Sequence, residues 1–315
     1  MLDNTLFIPN DVTLNNLSEL AQYGATLAER RVCEISELAY DAASFSLEMY
    51  SCGMCVYEIL SLIAEGLVSK KSKTLSGDGF LLHCAYPEFI LASDRAEFAR
   101  LYIIRLRDLG IYVNASSLLP EREREESFIY VKNALADEAY DVFTQEFSSP
   151  HVSYCQSFKA AADAVFSGES SYCLLPLEER GGSRLTPVSE LIYRRDLKIN
   201  SVTPVFGFEG NADMKYALLS SCFTVPTLSP DDDGYLEVRV KVDENSTLSE
   251  ILSVAGYYGI SIYRINTQRF DTEGDTEVYS ELVFKGAGCD FTDLLVYLTL
   301  FVPEYTAVGM YKNLE

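Results

Sequence analysis

The sequence predicts a multidomain chain of α/β and α+β class, with a helical N-terminal region, a single α/β lobe and a C-terminal βαββαβ unit. Three observations predict it. Apolar residues recur at three- and four-residue steps through the first third of the chain. The period then changes to short strands alternating with helices. Beyond a Pro/Asp/Gly cluster, the order becomes strand, helix, strand, strand, helix, strand.

Residues 1–120 read as mostly helical. The helical step is clear in LNNLSELAQYGATLAERRVCEISELAY and again in VYEILSLIAEGL, and the SLEMYSCGMC between them reads as helix too. Lys70, Lys71 and Lys73 suit the C-terminal dipole of the second helix, and SGDG marks a turn. A strand-like FLLHCAY precedes a third helix from Arg95 to Leu109, and the charged PEREREE from Pro120 to Glu126 reads as a linker or a solvated first turn.

The lobe covers 126–226. FIYVKN is a strand, AYDVFTQEF a helix or a second strand, and SFKAAADAVFSG an amphipathic helix closed at Gly168. SYCLLPL, a glycine-rich turn, the helix VSELIYRRD and the strand INSVTPVFGF complete a layer expected to carry a largely parallel sheet. The cluster from Thr227 to Gly234 ends it. In 235–314, YLEVRVKV, TLSEILSVAGYY, ISIYRINTQRF, EVYSELVFK, DFTDLLVYLTLF and TAVGMYKN give the ferredoxin-like split unit.

The chain has 315 residues, enough for two or three cores, and 48% hydrophobic residues to fill them. Its formal charge of −22, from 47 acidic and 25 basic residues, repels nucleic-acid phosphates and anionic headgroups, so neither partner is expected. No window approaches the roughly 18 uninterrupted apolar residues of a membrane span, and MLDNTLFIPNDV lacks a signal pattern. A cytoplasmic protein is expected.

The eight cysteines are read as reduced core residues, including the C-x-x-C of Cys52 and Cys55, since no second pair stands at zinc-ligand spacing. His83 reads as a core residue and His151 as a loop residue; no metal site or cofactor motif is found. Arg180, Arg184, Arg194 and Arg195 could recognise a carboxylate through forked hydrogen bonds, although surface salt bridging is the plainer reading for Arg194 and Arg195.

The C-terminal unit resembles the ACT regulatory domain that follows the catalytic region of prephenate dehydratases. The resemblance rests on NSTLSEIL, the glycine in YYGISIYRI and the closing VGMYKN. It implies pairing into a homodimer or higher homo-oligomer and an amino acid or aromatic carboxylate effector held between paired domains. The family's Gly-Ala-Leu at the start of the first helix corresponds to Ser246, Thr247 and Leu248, and its Glu-Ser-Arg-Pro to Asn266, Thr267, Gln268 and Arg269. Free amides behind Ser246 and Thr247 could bind a carboxylate, or either residue could cap the helix.

The middle segment SFKAAADAVFSGESSYCLLPLEERGGSRL is similar to the substrate domain of prephenate dehydratases. Pro176, Leu177, Glu178, Gly182 and Leu185 match, whereas Glu179 and Arg180 stand where the family has Asn and Ser. Met214, Lys215 and Tyr216 correspond to the catalytic Thr-Arg-Phe, so no hydroxyl is left to help the departing ring oxygen. FIYVKNALADEAY lacks the glycine-rich opening, and only about a hundred residues separate Glu126 from Thr227, against the ~180 of a full domain. LAERRVCEISELAYD resembles a chorismate mutase helix, with Arg30 at an Arg position, but Asp41 stands near the expected Lys.

These departures predict a non-catalytic, amino-acid-sensing regulatory protein, a pseudoenzyme. The alternative is a divergent dehydratase converting prephenate to phenylpyruvate in aromatic amino acid biosynthesis.

Overall fold

The computed structural model describes residues 17–68, 91–119, 121–122, 124–179, 181–206, 212–229, 231–241, 247–272, 275–288, 290–302 and 304–314. The FLLHCAY segment with His83, the lysines after the second helix, Arg180 and Ser246 lie outside these residues.

Among the described residues the first elements are three helices, α1 (Leu17–Ser51), α2 (Val56–Val68) and α3 (Ala92–Asp108), followed by a single turn, α4 (Ala115–Leu118). The helix read continuously through SLEMYSCGMC breaks at Gly53, whose φ of +92° only glycine adopts cheaply. Gly53 N–H bonds to the Tyr50 carbonyl and Met54 N–H to that of Met49, which closes α1 as a Schellman motif. Cys52 and Cys55 flank the break and are exposed, as is Cys33, so the reading of these thiols as core residues is overturned. Cys173 alone of the described cysteines is fully buried.

The lobe runs β1 (Ser127–Val131), α5 (Ala134–Phe143), β2 (His151–Cys155), α6 (Phe158–Phe166), β3 (Tyr172–Glu179), α7 (Thr186–Arg194), β4 (Lys198–Phe206) and β5 (Ala212–Ser220). His151, expected in a loop, begins edge strand β2, whose short run HVSYC carries no long apolar pattern. PEREREE is no free linker either. Arg124 donates to the carbonyls of Cys222 and Phe223, both at 2.8 Å, and Glu121 pairs with Phe223.

The last part runs β6 (Asp233–Lys241), α8 (Thr247–Tyr257), β7 (Ser261–Thr272), β8 (Asp275–Ala287), α9 (Thr292–Phe301) and β9 (Tyr305–Lys312). All its strand pairs are antiparallel. Lobe and C-terminal strands share one nine-stranded sheet, ordered β2-β1-β3-β5-β4-β9-β6-β8-β7. Among the strand pairs of the described residues, the β2-β1-β3 run and the β4–β9 junction are parallel and the rest antiparallel, so the lobe's sheet is more mixed than the alternation of elements suggests.

Successive residues of a strand point to opposite faces, and this assigns the helices. Phe128 and Tyr130 pack with α5 on one face, whereas Ile129 packs with α6 on the other. Leu236, Val238 and Val240 of β6 join α8, α9 and the N-terminal helices in a single core. Arg95 of α3 reaches Glu250 of α8 at 2.9 Å, and Tyr258 donates to the Ala96 carbonyl. Tyr235, Val283 and Tyr311 belong instead to the core beneath α6 and α7. Among the described residues, no helix is long and apolar enough to cross a membrane.

The junction of the two parts depends on Gly309. Here β9 pairs with β4 opposite Ile199, and a Cβ would stand 2.6 Å from the Ile199 carbonyl oxygen and 2.7 Å from its Cβ. Gly309→Ala is expected to cost about 1–3 kcal/mol, the usual range for overpacking, seen as a lower denaturant midpoint. Gly256→Ala in α8, which meets nothing within 4 Å, should be neutral or stabilise by up to about 1 kcal/mol.

Candidate functional site

In a doubly wound sheet, ligands usually meet the carboxyl ends of the parallel strands where the strand order reverses. That place lies beside β1 and β3, between the N-termini of α5 and α6. Its helix amides are already engaged. Asn133 accepts from Leu135 and Ala136 N–H at 3.1 and 3.0 Å, and Ser157 accepts from Ala160 N–H at 3.1 Å. The crevice therefore offers an anion less than bare helix ends would.

The chemistry concentrates instead at the end of β3, where the chain enters the glycine turn leading to α7. Glu178 is buried and accepts from Arg264 of β7. Lys215 of β5 stands 3.4 Å from its other oxygen, and Arg184 3.9 Å away. Burial pushes the Glu178 carboxyl up, but Arg264, Lys215 and Arg184 together outweigh it and hold it below the ordinary value of 4.5.

Behind this mouth, a charged layer continues between α7 and the adjoining face of β6, β8 and β7. Arg184 forms an ion pair with Glu237, whose second oxygen accepts from Tyr311 OH at 3.2 Å. Two residues on, Arg239 holds Glu281 at 3.0 Å, and Gln268 donates to the same carboxylate at 2.9 Å. Burial and the neighbouring Glu237 push Glu281 up, against the pull of Arg184 and Arg239. Burial works against the Arg184 charge, and Glu237, Tyr311 and Glu281 more than restore it.

An aromatic lid covers this layer. Tyr193 of α7 stacks on Phe270 of β7 at 4.0 Å, and the Arg239 guanidinium lies 5.0 Å from the Tyr193 ring centre. Tyr193 OH donates to Glu277 at 2.7 Å.

The structure divides the positions singled out in the sequence. Glu178 and Lys215 meet in the mouth, with Glu179 exposed beside them. Met214 and Tyr216 pack against the α5 core on the opposite face, where burial raises the Tyr216 phenol against a hydrogen bond with Asn133. Gln268 is part of the charged layer, and Asn266, two residues earlier, shares its side of β7. Thr267 and Arg269 point the other way and are exposed, while Thr247 and Leu248 begin α8 on the helical side of the sheet.

Arg194 and Arg195 form the surface pairs expected, with Glu190 and Asp163. Sequence reading missed Glu237, Arg239, Arg264 and Glu281, charges on strands that alternate like solvent-facing positions. Among the described residues, no group of three or more His, Cys, Asp or Glu could hold a metal ion. A separate cavity of about 510 Å³ is lined by Val142, Gln145, Asp231, Asp232, Asp233 and Lys312 among others.

No protein-family model matches the chain, and no curated protein matches it. Among solved structures it is similar to a prephenate dehydratase from Streptococcus mutans, at 13% identity over 60% of this chain and 98% of that one, with a TM-score of 0.45. A prephenate dehydratase from Arthrobacter aurescens in complex with L-Phe gives 13% identity over 59% and 89%, with a TM-score of 0.45. GqqA, described as a novel type of quorum quenching acylase, gives 17% over 60% and 96%, at 0.44.

Two outcomes follow from the ionic geometry. Arg184→Met strands Glu237 without its cation and should cost about 3–5 kcal/mol in denaturant unfolding, most of it recovered when Glu237→Leu is added. Because the folded-state value of Glu178 is depressed, its contribution is full above the ordinary 4.5 and vanishes as pH falls through the lower folded value. Glu178→Gln should therefore flatten the acid limb of the stability profile, measured by thermal unfolding from pH 7 down to about 3.

Proposed function

We propose that this protein is a non-catalytic small-molecule sensor: an ACT-type C-terminal unit joined to a shortened lobe of prephenate dehydratase type. Its ligand is a carboxylate, either an amino acid or an aromatic acid. The observation that carries this reading is the setting of Glu178, buried with Arg264, Lys215 and Arg184 around its carboxylate. A carboxyl clasped by three cations and held ionised can position charge but cannot donate a proton to a departing hydroxyl. Met214 supplies no replacement, since it faces the α5 core with Tyr216.

Lys215 and Arg264 keep side-chain exposures of 27% and 19%, so both can meet a ligand from solvent. Tyr263, with its ring 6.0 Å from the Lys215 ammonium and 48% exposed, offers an aromatic wall beside them. Two cations and an exposed ring suit a carboxylate carrying an apolar or aromatic group. We also propose a cytoplasmic homodimer paired through β7. Among the described residues that strand pairs with β8 alone, and its Ile262, Tyr263 and Ile265 are exposed.

A thermal-shift screen with the twenty amino acids, prephenate and phenylpyruvate tests the sensing role. A saturable rise is expected with at least one carboxylate, weakened about tenfold or more in Lys215→Ala or Arg264→Ala, roughly the worth of one charged hydrogen bond. Phenylpyruvate formation from prephenate that disappears in Glu178→Gln would establish the divergent dehydratase instead. Light scattering reads the dimer; a monomer at all concentrations would remove the proposed β7 pairing.

A further inference from the structure

Two strands leave their regular ladders at the mouth. In β7, Ile262 stands opposite Phe284 and Arg264 opposite Val283, so Tyr263 is an extra residue between them. In β3, Pro176 stands opposite Tyr216 and Glu178 opposite Lys215, which makes Leu177 the extra residue. A bulge interrupts the alternation of faces and re-aims a side chain, and such irregularities gather beside functional sites. Both serve the same place. The β3 bulge turns Glu178 to the side of Leu177, toward Lys215, Arg184 and Arg264. The β7 bulge lets the successive residues Tyr263 and Arg264 reach it together. Arg264 donates to Glu178, and the Tyr263 ring centre lies 6.0 Å from the Lys215 ammonium.

Tyr263 is braced by a second ring. It meets the buried Tyr235 edge to face at 5.3 Å, and Lys285 lies 5.9 Å from the Tyr235 ring centre. The 48% exposure left to Tyr263 keeps an aromatic surface open beside Lys215 and Arg264.

The charges around that surface are one-sided. Arg184 is matched by Glu237, so Lys215 and Arg264 face the single carboxylate Glu178 and leave a surplus of one positive charge. Asp233 is engaged by Lys285 at 2.6 Å. Glu179 stands opposite Met214, which packs against α5, so its side chain belongs to the other face of the sheet. Among these described residues, a ligand carboxylate meets two cations on the mouth's face. An ammonium group meets the same two cations and only carboxylates that already hold a cation.

We propose, resting on the carboxylate-sensing reading, that Tyr263 is the specificity-determining residue of the mouth and that the ligand is an aromatic monocarboxylate without an ammonium group. The carboxylate bridges Lys215 and Arg264, where its one charge balances the surplus, and the aromatic ring packs on Tyr263. An α-amino acid of the same shape brings its ammonium beside Lys215 and Arg264, and that like-charge contact is the rejecting element.

Isothermal titration of the full chain with 3-phenylpropanoate and with L-phenylalanine, which differ only in the α-ammonium group, tests the charge selection. 3-Phenylpropanoate should bind about tenfold or more tightly than L-phenylalanine. 3-Cyclohexylpropanoate keeps the charge and length without the aromatic face, and should bind about threefold or more weakly than 3-phenylpropanoate, the worth of one aromatic contact. Tyr263→Leu, chosen because the position is half-exposed and the change keeps an apolar side chain, should erase the phenyl-over-cyclohexyl ratio and retain the preference over L-phenylalanine. The comparison of the three ligands on the unaltered chain stands without that variant. L-Phenylalanine bound as tightly as 3-phenylpropanoate, with both lost in Lys215→Ala, would overturn the selection and leave the sensing reading standing. An unchanged phenyl-over-cyclohexyl ratio in Tyr263→Leu would overturn the role of Tyr263. If no carboxylate binds at all, the sensing reading falls and the selection falls with it.

Discussion

Arg184 and Glu237 meet with almost no solvent contact where the lobe's α7 lies on the C-terminal sheet, and the rest of the structure is arranged to keep that pair intact. Removing either charge from water costs several kcal/mol unless the partner and further hydrogen bonds replace the lost hydration. Tyr311 supplies one of those bonds to Glu237, and the Tyr193–Phe270 stack closes the layer from the side. Buried ion pairs of this kind add little net stability, but they are intolerant of mispairing. The pair therefore ties the turn that leads into α7 to strand β6.

The same contact explains the distribution of helices. A βαββαβ unit with both helices on one side leaves the other face of its sheet bare. Here the helical side is thickened by α1, α2 and α3, and the opposite side is covered by α7 from the lobe. Strand β6 is consequently buried along nearly its whole length on both faces. The mouth at Glu178 opens where this covering ends. The mouth and the packing of the lobe on the C-terminal strands thus share the residues Glu178, Arg184 and Arg264.

Most of the element order was legible in the sequence, because it rests on local periodicity. The helix–strand alternation of the lobe and the order from Tyr235 onward are carried by apolar spacing in strings such as SFKAAADAVF and LLVYLTLF. What escaped reading depends on distant partners. YLEVRVKV alternates Leu and Val with Glu and Arg, and that alternation reads as one apolar and one solvated face. The charged face is buried only because α7, some forty residues earlier in sequence, covers it. Gly53 looks like any glycine within a helical run until its positive φ shows the chain turning. The site was half visible for the same reason: Glu178 and Lys215 are flagged by a motif, while Arg264 and Glu281 acquire meaning from the register of β7 and β8.

The position of β9 bears on the order in which the sheet can be completed during synthesis. It follows the other described strands along the chain, yet it lies between β4 and β6. Until it is made, the lobe ends in an unpaired β4 edge, and β6 lacks its neighbour on that side. Both are open templates for another chain, and the nascent protein carries them through the synthesis of the whole C-terminal unit. Strand β9 is therefore a wedge that closes two exposed edges at once, and a chain interrupted before it would be prone to cross-strand association.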